Sequence, residues 1–338
     1  MFKPVSVVLA LLLAAGCSGS NPFEDDTADG GQPPTPPTIE DDPDTPEDES
    51  TSGFVNTGGI GALPGQLAFN LLDVTLAADG NSITVTGAPL DTTPIPGVFA
   101  RDSRLDTSGY TAYSVQEDPL DRFFIALIRQ SADGSVEGGV VLDGGQFNRF
   151  LGGTYYRRLD DYSPHVPDQP TNGLVSYTAE YVGLSNIDAP RPGEIMPVDP
   201  GTQPGVIPAQ SALVTGTVFI NADFADNTVN GAIVDRIMPQ LVDPDSGLPG
   251  FALEDVVLIL TDIEDDGTFG GVSEGPVPNS TIGTYGGVFG GIGATAVAGS
   301  IRIENYEGLF VNEVEYGTFV ASQCDDTGSG ALCDQANP

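Results

Sequence analysis

From Leu67 onward short apolar runs alternate with clusters of turn residues, and no stretch sustains a capped helical period. The runs LAFNLLDVTL, SITVT, GYTAYSV, RFFIALIRQ, SVEGGVVL and FLGGTYYRRL are of strand length. Between them, Asp79-Gly80-Asn81, Asp133-Gly134 and Asp143-Gly144-Gly145 supply the positive φ angles that tight hairpins need. Residues 54–165 are therefore predicted as an all-β domain, ending at the proline-bearing stretch Ser163 to Gly173.

A second all-β domain, residues 166–323, is predicted from eight further runs. They are placed at Leu174–Leu184, Ala212–Phe224, Thr228–Ile237, Leu253–Thr261, Gly267–Ser273, Ser280–Gly290, Ala294–Glu304 and Glu313–Ser322. An even number of antiparallel strands joined by hairpins such as Ala225-Asp226-Asn227 closes into an up-and-down barrel without exposed edges. In Val297–Glu304, Val297, Gly299, Ile301 and Ile303 share one face and Ala298, Ser300, Arg302 and Glu304 the other, the pattern of a half-buried strand. The proline-rich stretch Asp188 to Ala209 is expected as a long loop over one barrel end.

The most glycine-dense segment, GTYGGVFGGIGATAVAGSIRIEN (Gly283 to Asn305), lacks the GxGxxG spacing of a dinucleotide loop and has no lysine after it for a P-loop. It is expected as two strands meeting at a turn over Gly290 to Gly293, with the glycines serving bends and close backbone approach.

Charge narrows the partners. Acidic residues outnumber basic ones 48 to 11, the formal net charge is −37, and Lys3 is the only lysine in the 338-residue chain. Nucleic acid and anionic membrane surfaces are electrostatically disfavoured, which leaves plain solubility or capture of a cationic partner or divalent metal.

The N-terminus adds an address. Lys3 precedes the apolar run VSVVLALLLAA, which has signal-peptide length and is too short to span a bilayer. It ends in Leu13-Ala14-Ala15-Gly16-Cys17, which resembles a bacterial lipoprotein processing site, with Ala14 where a larger residue is usual. Residues 1–16 are expected as a lipoprotein signal peptide and Cys17 as the lipidated residue, anchoring the chain in a membrane. Ser18 is not the aspartate that commonly retains lipoproteins at the inner membrane, so the resemblance implies the outer membrane. Residues 17–53 carry prolines, threonines and carboxylates with no basic residue, the composition of a solvated tether. Cys324 and Cys333 remain, enclosing a short polar loop in the tail 324–338, and an exported protein is expected to join them in a disulfide.

Candidate chemistry is sparse. Gly271-Val272-Ser273-Glu274-Gly275 matches the GxSxG nucleophile pattern, yet the prolines that follow forbid the helix it requires. Asp262, Glu264 and Asp266 are spaced like the start of a calcium loop but lie between strands, so a hairpin turn is the default and a calcium site the alternative. His165, the only histidine, is a candidate haem ligand beside Tyr162, or a plain linker residue. Tyr155, Tyr156, Arg157 and Arg158 form the densest basic-aromatic cluster, read either as internal salt-bridge partners at a domain junction or as an anchor for a protein ligand.

The second domain resembles the barrel domain of the transferrin-binding protein B family of surface lipoproteins. The likeness lies in Tyr177–Gly183, in Ala222-Asp223-Phe224 followed by Val229-Asn230-Gly231, and in Gly267–Gly271. It continues through Gly287–Gly290, Gly293-Ala294, Ala298–Ile301 and Gly317–Ala321. The family often has proline where this chain has Gly291 and an acidic residue where it has Ala296. The resemblance implies an N-terminal β handle beside the barrel and a monomeric lipoprotein at the cell surface. Such a protein captures a protein ligand, haem or another iron source, with a TonB-dependent receptor as a possible companion. No enzyme is expected. The alternative is a structural or adhesive envelope lipoprotein without a dedicated ligand.

Overall fold

The structure is a computed structural model, and it describes residues 65–87, 95–166, 173–189, 194–244, 246–277, 279–324 and 333. Cys17 and the tether lie outside the described residues. All described residues belong to one compact unit.

The architecture is all-β, as the alternation predicts. After a one-turn helix α1 (Gly65–Ala68) comes a seven-stranded antiparallel meander. Its strands are β1 (Leu71–Leu76), β2 (Ser82–Gly87), β3 (Ile95–Arg101), β4 (Thr111–Val115), β5 (Phe124–Gln130), β6 (Val136–Asp143) and β7 (Gly152–Arg158). β3 is an addition to the predicted strands; Pro96 and Gly97 break its apolar pattern, and only Ala100 and Arg101 pair with β4. Leu67 and Ala68, expected to open the first strand, instead end the helix that covers β7, where Thr154 Oγ1 donates to Leu67 O at 3.0 Å.

A two-residue strand β8 (Tyr162–Ser163) then leads into β9 (Leu174–Asp188), β10 (Ser211–Asp223), β11 (Thr228–Val242), the short β12 (Pro249–Ala252) and β13 (Val256–Asp262). The chain continues as β14 (Thr268–Glu274), β15 (Thr281–Ile292), β16 (Ala296–Glu304) and β17 (Val314–Gln323). Each of the eight long strands pairs antiparallel with its sequence neighbour, and β17 pairs back onto β9, so the barrel closes up-and-down. β12 is the second addition, a strand riding on β11 between Ile237 and Val242.

One end of the barrel carries tight turns over 224–227, 263–267 and 293–295. The other carries the longer connections over 189–210, 243–255, 275–280 and 305–313.

The seven-stranded sheet packs against the outside of β9, β15, β16 and β17. Val136, Val141, Tyr155 and Tyr156 share one cluster with Val288, Ala296, Ala298 and Val320. Leu127, Val140 and Leu142 share another with Val182, Leu184 and Tyr316. This changes one expectation: β16 is buried along both faces from Ala296 to Ile301, because the first sheet covers the face that alternation assigned to solvent. The segment is half-polar only in composition. Its outward residues Ala296, Ala298 and Ser300 are small because another sheet lies on them.

The glycines act by letting neighbours approach more than by bending strands. A Cβ on Gly290 would collide with Val136 and lie 3.0 Å from Ser135 O, both of the first sheet. Inside the barrel, the ring of Phe269 covers Gly287, that of Phe319 covers Gly299 and that of Tyr285 covers Gly271. Each aromatic thereby fills the space its neighbour leaves. The turn itself uses positive φ at Gly291, Gly293 and Ala294.

Candidate functional site

The barrel lumen is filled by side chains, as an eight-stranded barrel permits. Toward the tight-turn end, Phe289 meets Tyr177 at 5.5 Å, Phe224 at 5.2 Å and Phe269 at 5.2 Å between ring centres. Toward the long-loop end sits a buried ion pair. Arg236 Nη2 donates to Glu315 Oε2 at 2.6 Å, with the two side chains 1% and 0% exposed. Tyr181 Oη donates to Glu315 Oε1 at 2.6 Å, Arg236 Nη1 donates to Glu254 O at 2.6 Å, and the guanidinium lies 5.1 Å from the Tyr306 ring centre.

The backbone explains why an arginine points inward. β10 and β11 slip register between Thr215–Ile237 and Thr217–Val234, and Asp235 sits at φ 54°. That bulge turns Arg236 into the lumen over Gly216, where a Cβ would lie 3.1 Å from Arg236 Cγ. Burial alone would weaken the guanidinium's hold on its proton, but Glu315 outweighs it and raises the Arg236 pKa. Burial, with Glu315 beside it, drives the Tyr181 phenol well above its ordinary range.

Three loops meet outside the barrel at the long-loop end. The Gln146 amide, 8% exposed, donates at 2.8 Å both to Leu120 O and to Val206 O, tying two loops of the first sheet to the 189–210 connection. Ala209 N donates to Gly145 O at 2.9 Å, and Met196 N donates to Gln116 Oε1 at 2.7 Å. Arg122 ion-pairs with Asp143 and donates to Gln146 O at 3.0 Å and Arg149 O at 2.9 Å, bracing the hairpin tip. At that tip Phe147 and Asn148 both adopt positive φ, 56° and 57°. They are the two central residues of the hairpin closed by Gln146 and Arg149, a turn that demands positive φ at both, and a bulky aromatic is an unusual occupant of it. Phe147 is 61% exposed, and Leu120 and Ile207, on the two loops the Gln146 amide ties together, are exposed as well. Phe69, also at positive φ (48°) and exposed, stacks on Tyr316 at 5.6 Å and packs on Phe150 at 5.5 Å.

The residues singled out from sequence fall elsewhere. Tyr155, Tyr156 and Arg158 are buried: Tyr156 and Arg158 face the barrel between the sheets, and Tyr155 points to the opposite face of β7, into the first sheet's own core. Tyr155 Oη donates to Glu137 Oε1 at 2.9 Å and Arg157 pairs with the same carboxylate at 2.5 Å, while Arg157 Nη1 reaches Val74 O across the gap between β7 and β1. Arg158 donates to Phe289 O and Asp266 O and lies 4.5 Å from the Tyr162 ring centre, pinning the first sheet to the tight-turn end. The four residues are thus joints between strands and sheets.

His165 is half-buried with its ring 6.1 Å from that of Phe224. Asp262 and Glu264 are exposed, whereas Asp266 accepts from Thr268 N at 2.9 Å and Thr268 Oγ1 at 2.6 Å within the β13–β14 turn. Among the described residues no group of three histidine, cysteine or carboxylate side chains is arranged to hold a metal ion. Ser273 of the GxSxG match is wholly buried in β14. Cys324 and Cys333 are joined in a disulfide. The three-loop apex and the inward arginine were missed from sequence. Gln146, Phe147 and Asn148 have no spacing that marks them, and a lone arginine in a strand reads as a surface residue.

No family model matches the chain, and no curated protein matches it. Among solved structures, the chain is similar to intact Ap-TbpB with its N and C lobes, at TM-score 0.34 and 10% identity, covering 72% of this chain and 52% of that one. A mutant of transferrin binding protein B from Haemophilus parasuis Hp5 gives TM-score 0.33 and 10% identity, covering 75% and 53%. Isotype 1 transferrin binding protein B from serogroup B Neisseria meningitidis gives 0.31 and 13%, covering 73% and 51%. The chain spans about half the length of these proteins. No helix among the described residues is long and apolar enough to cross a membrane.

Proposed function

We propose that the chain is a non-enzymatic binding protein, tethered through Cys17 to the outer membrane and facing outward, which captures a macromolecular ligand at its three-loop apex. The observation that carries this is Phe147, exposed and left-handed at the tip of the Gln146–Arg149 hairpin, which the Gln146 amide ties to the loops that bear the exposed Leu120 and Ile207. A strained, rigidly supported aromatic with aliphatic neighbours is what a recognition hot spot requires. The filled lumen supports recognition on the outside of the barrel. The sequence resemblance to the transferrin-binding protein B family supports a protein or iron-source ligand, handed on to a TonB-dependent receptor.

The full chain, immobilised and exposed to host serum, is expected to retain a protein that the Leu120→Ser/Phe147→Ser variant retains at least tenfold less well. Equal retention by the variant, or none by either, overturns the reading in favour of a structural envelope protein. Hemin added to the purified chain tests the iron-source branch: an unchanged absorbance spectrum removes haem and leaves the protein ligand.

A further inference from the structure

The geometry points to a second recognition surface: the outward wall of β10, β11, β13 and β14 docks a protein segment that is both aliphatic and basic. Three observations build it. First, the seven-stranded sheet covers β9 and β15–β17 and leaves this wall open, with Val257 43%, Leu260 60% and Val272 42% exposed. Strand register places Phe219, Ala232, Val257 and Glu274 side by side across it.

Second, the wall is built to present Leu260. Val256 and Leu258 point inward, so simple alternation would send Leu260 into the lumen. Between the pairs Val229–Thr261 and Gly231–Leu258, however, Asn230 faces two residues, Ile259 and Leu260. This bulge throws the leucine out to solvent. β13 and β14 pair regularly only at Val257–Glu274 and Leu258–Ser273, and Tyr285 Oη bridges the loosened seam by donating to Ile259 O at 2.5 Å. A bulge that re-aims a leucine outward, stabilised by a tyrosine from the next strand but one, is a feature the fold maintains against the hydrophobic effect.

Third, charge selects the occupant. Asp235, Asp255 and Asp262 are exposed around the patch and Glu274 stands across from Val257, while the one arginine on these strands, Arg236, is buried inward. Elsewhere Arg101, Arg104, Arg122, Arg157 and Arg302 are held in ion pairs, and Arg158 donates to backbone carbonyls. A second copy of this chain, with formal charge −37, would bring acidic wall to acidic wall, and an anionic bilayer is repelled in the same way. A basic partner meets complementary charge around an apolar centre.

The probe is a fluorescent peptide of alternating lysine and valine, compared by anisotropy with a lysine–serine peptide of equal charge. The full chain is expected to bind the lysine–valine peptide at least tenfold more tightly. Val257→Ser/Leu260→Ser/Val272→Ser should weaken it tenfold or more with an unchanged melting temperature, and should leave lysine–serine binding unaltered. If the triple variant fails to fold, Leu260→Ser alone, at the most exposed of the three positions, should still give about a threefold loss. Equal binding of the two peptides, or lysine–valine affinity unchanged in the serine variants, overturns the proposal. A wild-type dimer in sedimentation that the triple variant dissociates would also overturn it, because the occupant would be a second copy. Phe147→Ser should not alter lysine–valine binding, so failure of the apex reading and failure of this one are separable.

Discussion

The barrel has two walls of opposite character, made from the same kind of strand. β15, β16 and β17 are buried on both faces along their centres and carry Gly283, Gly287, Gly290, Gly299 and Gly317, each of which would collide with a neighbour if given a Cβ. β13 and β14 are buried on one face only, expose valine and leucine on the other, and are joined by a bulged, sparsely paired seam. Small outward residues such as Gly286, Gly290, Ala296 and Ala298 therefore mark where another sheet presses on the barrel, and exposed aliphatics mark where no described element does. The Arg236–Glu315 pair runs through the lumen and ties β11, on the open side, to β17, on the covered side.

Breaking that tie should have the largest effect. Arg236→Ala leaves Glu315 buried without its counter-charge and is expected to cost about 3–5 kcal/mol. Arg236→Met/Glu315→Leu should recover most of it, since replacing a buried pair by apolar groups is often neutral. Urea unfolding of both variants checks this, and equal loss in the two would show that the charges are not the cause.

The two walls can next be compared directly. Gly290→Val forces a side chain into Val136 and is expected to cost about 1–3 kcal/mol by overpacking. Gly270→Val, on the open wall, meets nothing nearer than Tyr285 O at 3.6 Å and should change stability by less than about 0.5 kcal/mol. Melting temperatures that fall equally would erase the distinction.

A smaller effect than that of Gly290→Val is expected where the two sheets' hairpin tips touch. Thr295 Oγ1 donates to Asp133 Oδ2 at 2.6 Å, joining the β15–β16 turn to the β5–β6 turn. Burial pushes the Asp133 pKa up, but hydrogen bonds from Ser131, Thr295 and Ser135 outweigh it and hold the carboxyl at about 2. A depressed carboxylate stabilises the fold above its unfolded pKa of about 4 and loses that contribution as pH falls toward 2. Asp133→Ala should cost about 0.5–1 kcal/mol at pH 7, discounted because the residue is exposed, and less at pH 2. A pH-independent difference would remove the ionised carboxylate as its source.

Period-two alternation made the barrel legible, because closure demands that each strand keep one face inward; the eight long strands lie within a few residues of their predicted bounds. Three things were not legible. β3 and β12 were hidden because Pro96, Gly97, Pro249 and Gly250 interrupt the pattern that signals a strand. The second burial of β16 was hidden because alternation reports one interface, and Ala298 and Ser300 are as compatible with solvent as with a covering sheet. The apex was unreadable for a different reason. It depends on Gln146 bridging chain segments far apart in sequence, and nothing local to Phe147 announces its backbone strain.

The commitment of the arginines to internal partners bears on how the protein can be handled. Trypsin cuts after lysine and arginine, and Lys3 is the sole lysine. Among the described residues, Arg158 and Arg236 are buried, and Arg122 and Arg157 are paired with buried carboxylates and largely covered. Among the described residues trypsin is left chiefly with the exposed Arg104 and Arg149, so shaving intact cells with it samples few positions and under-reports exposure. A protease that cuts after aliphatic residues, with Leu248, Leu309 and Val311 exposed in connections at the long-loop end, would report on location more fully.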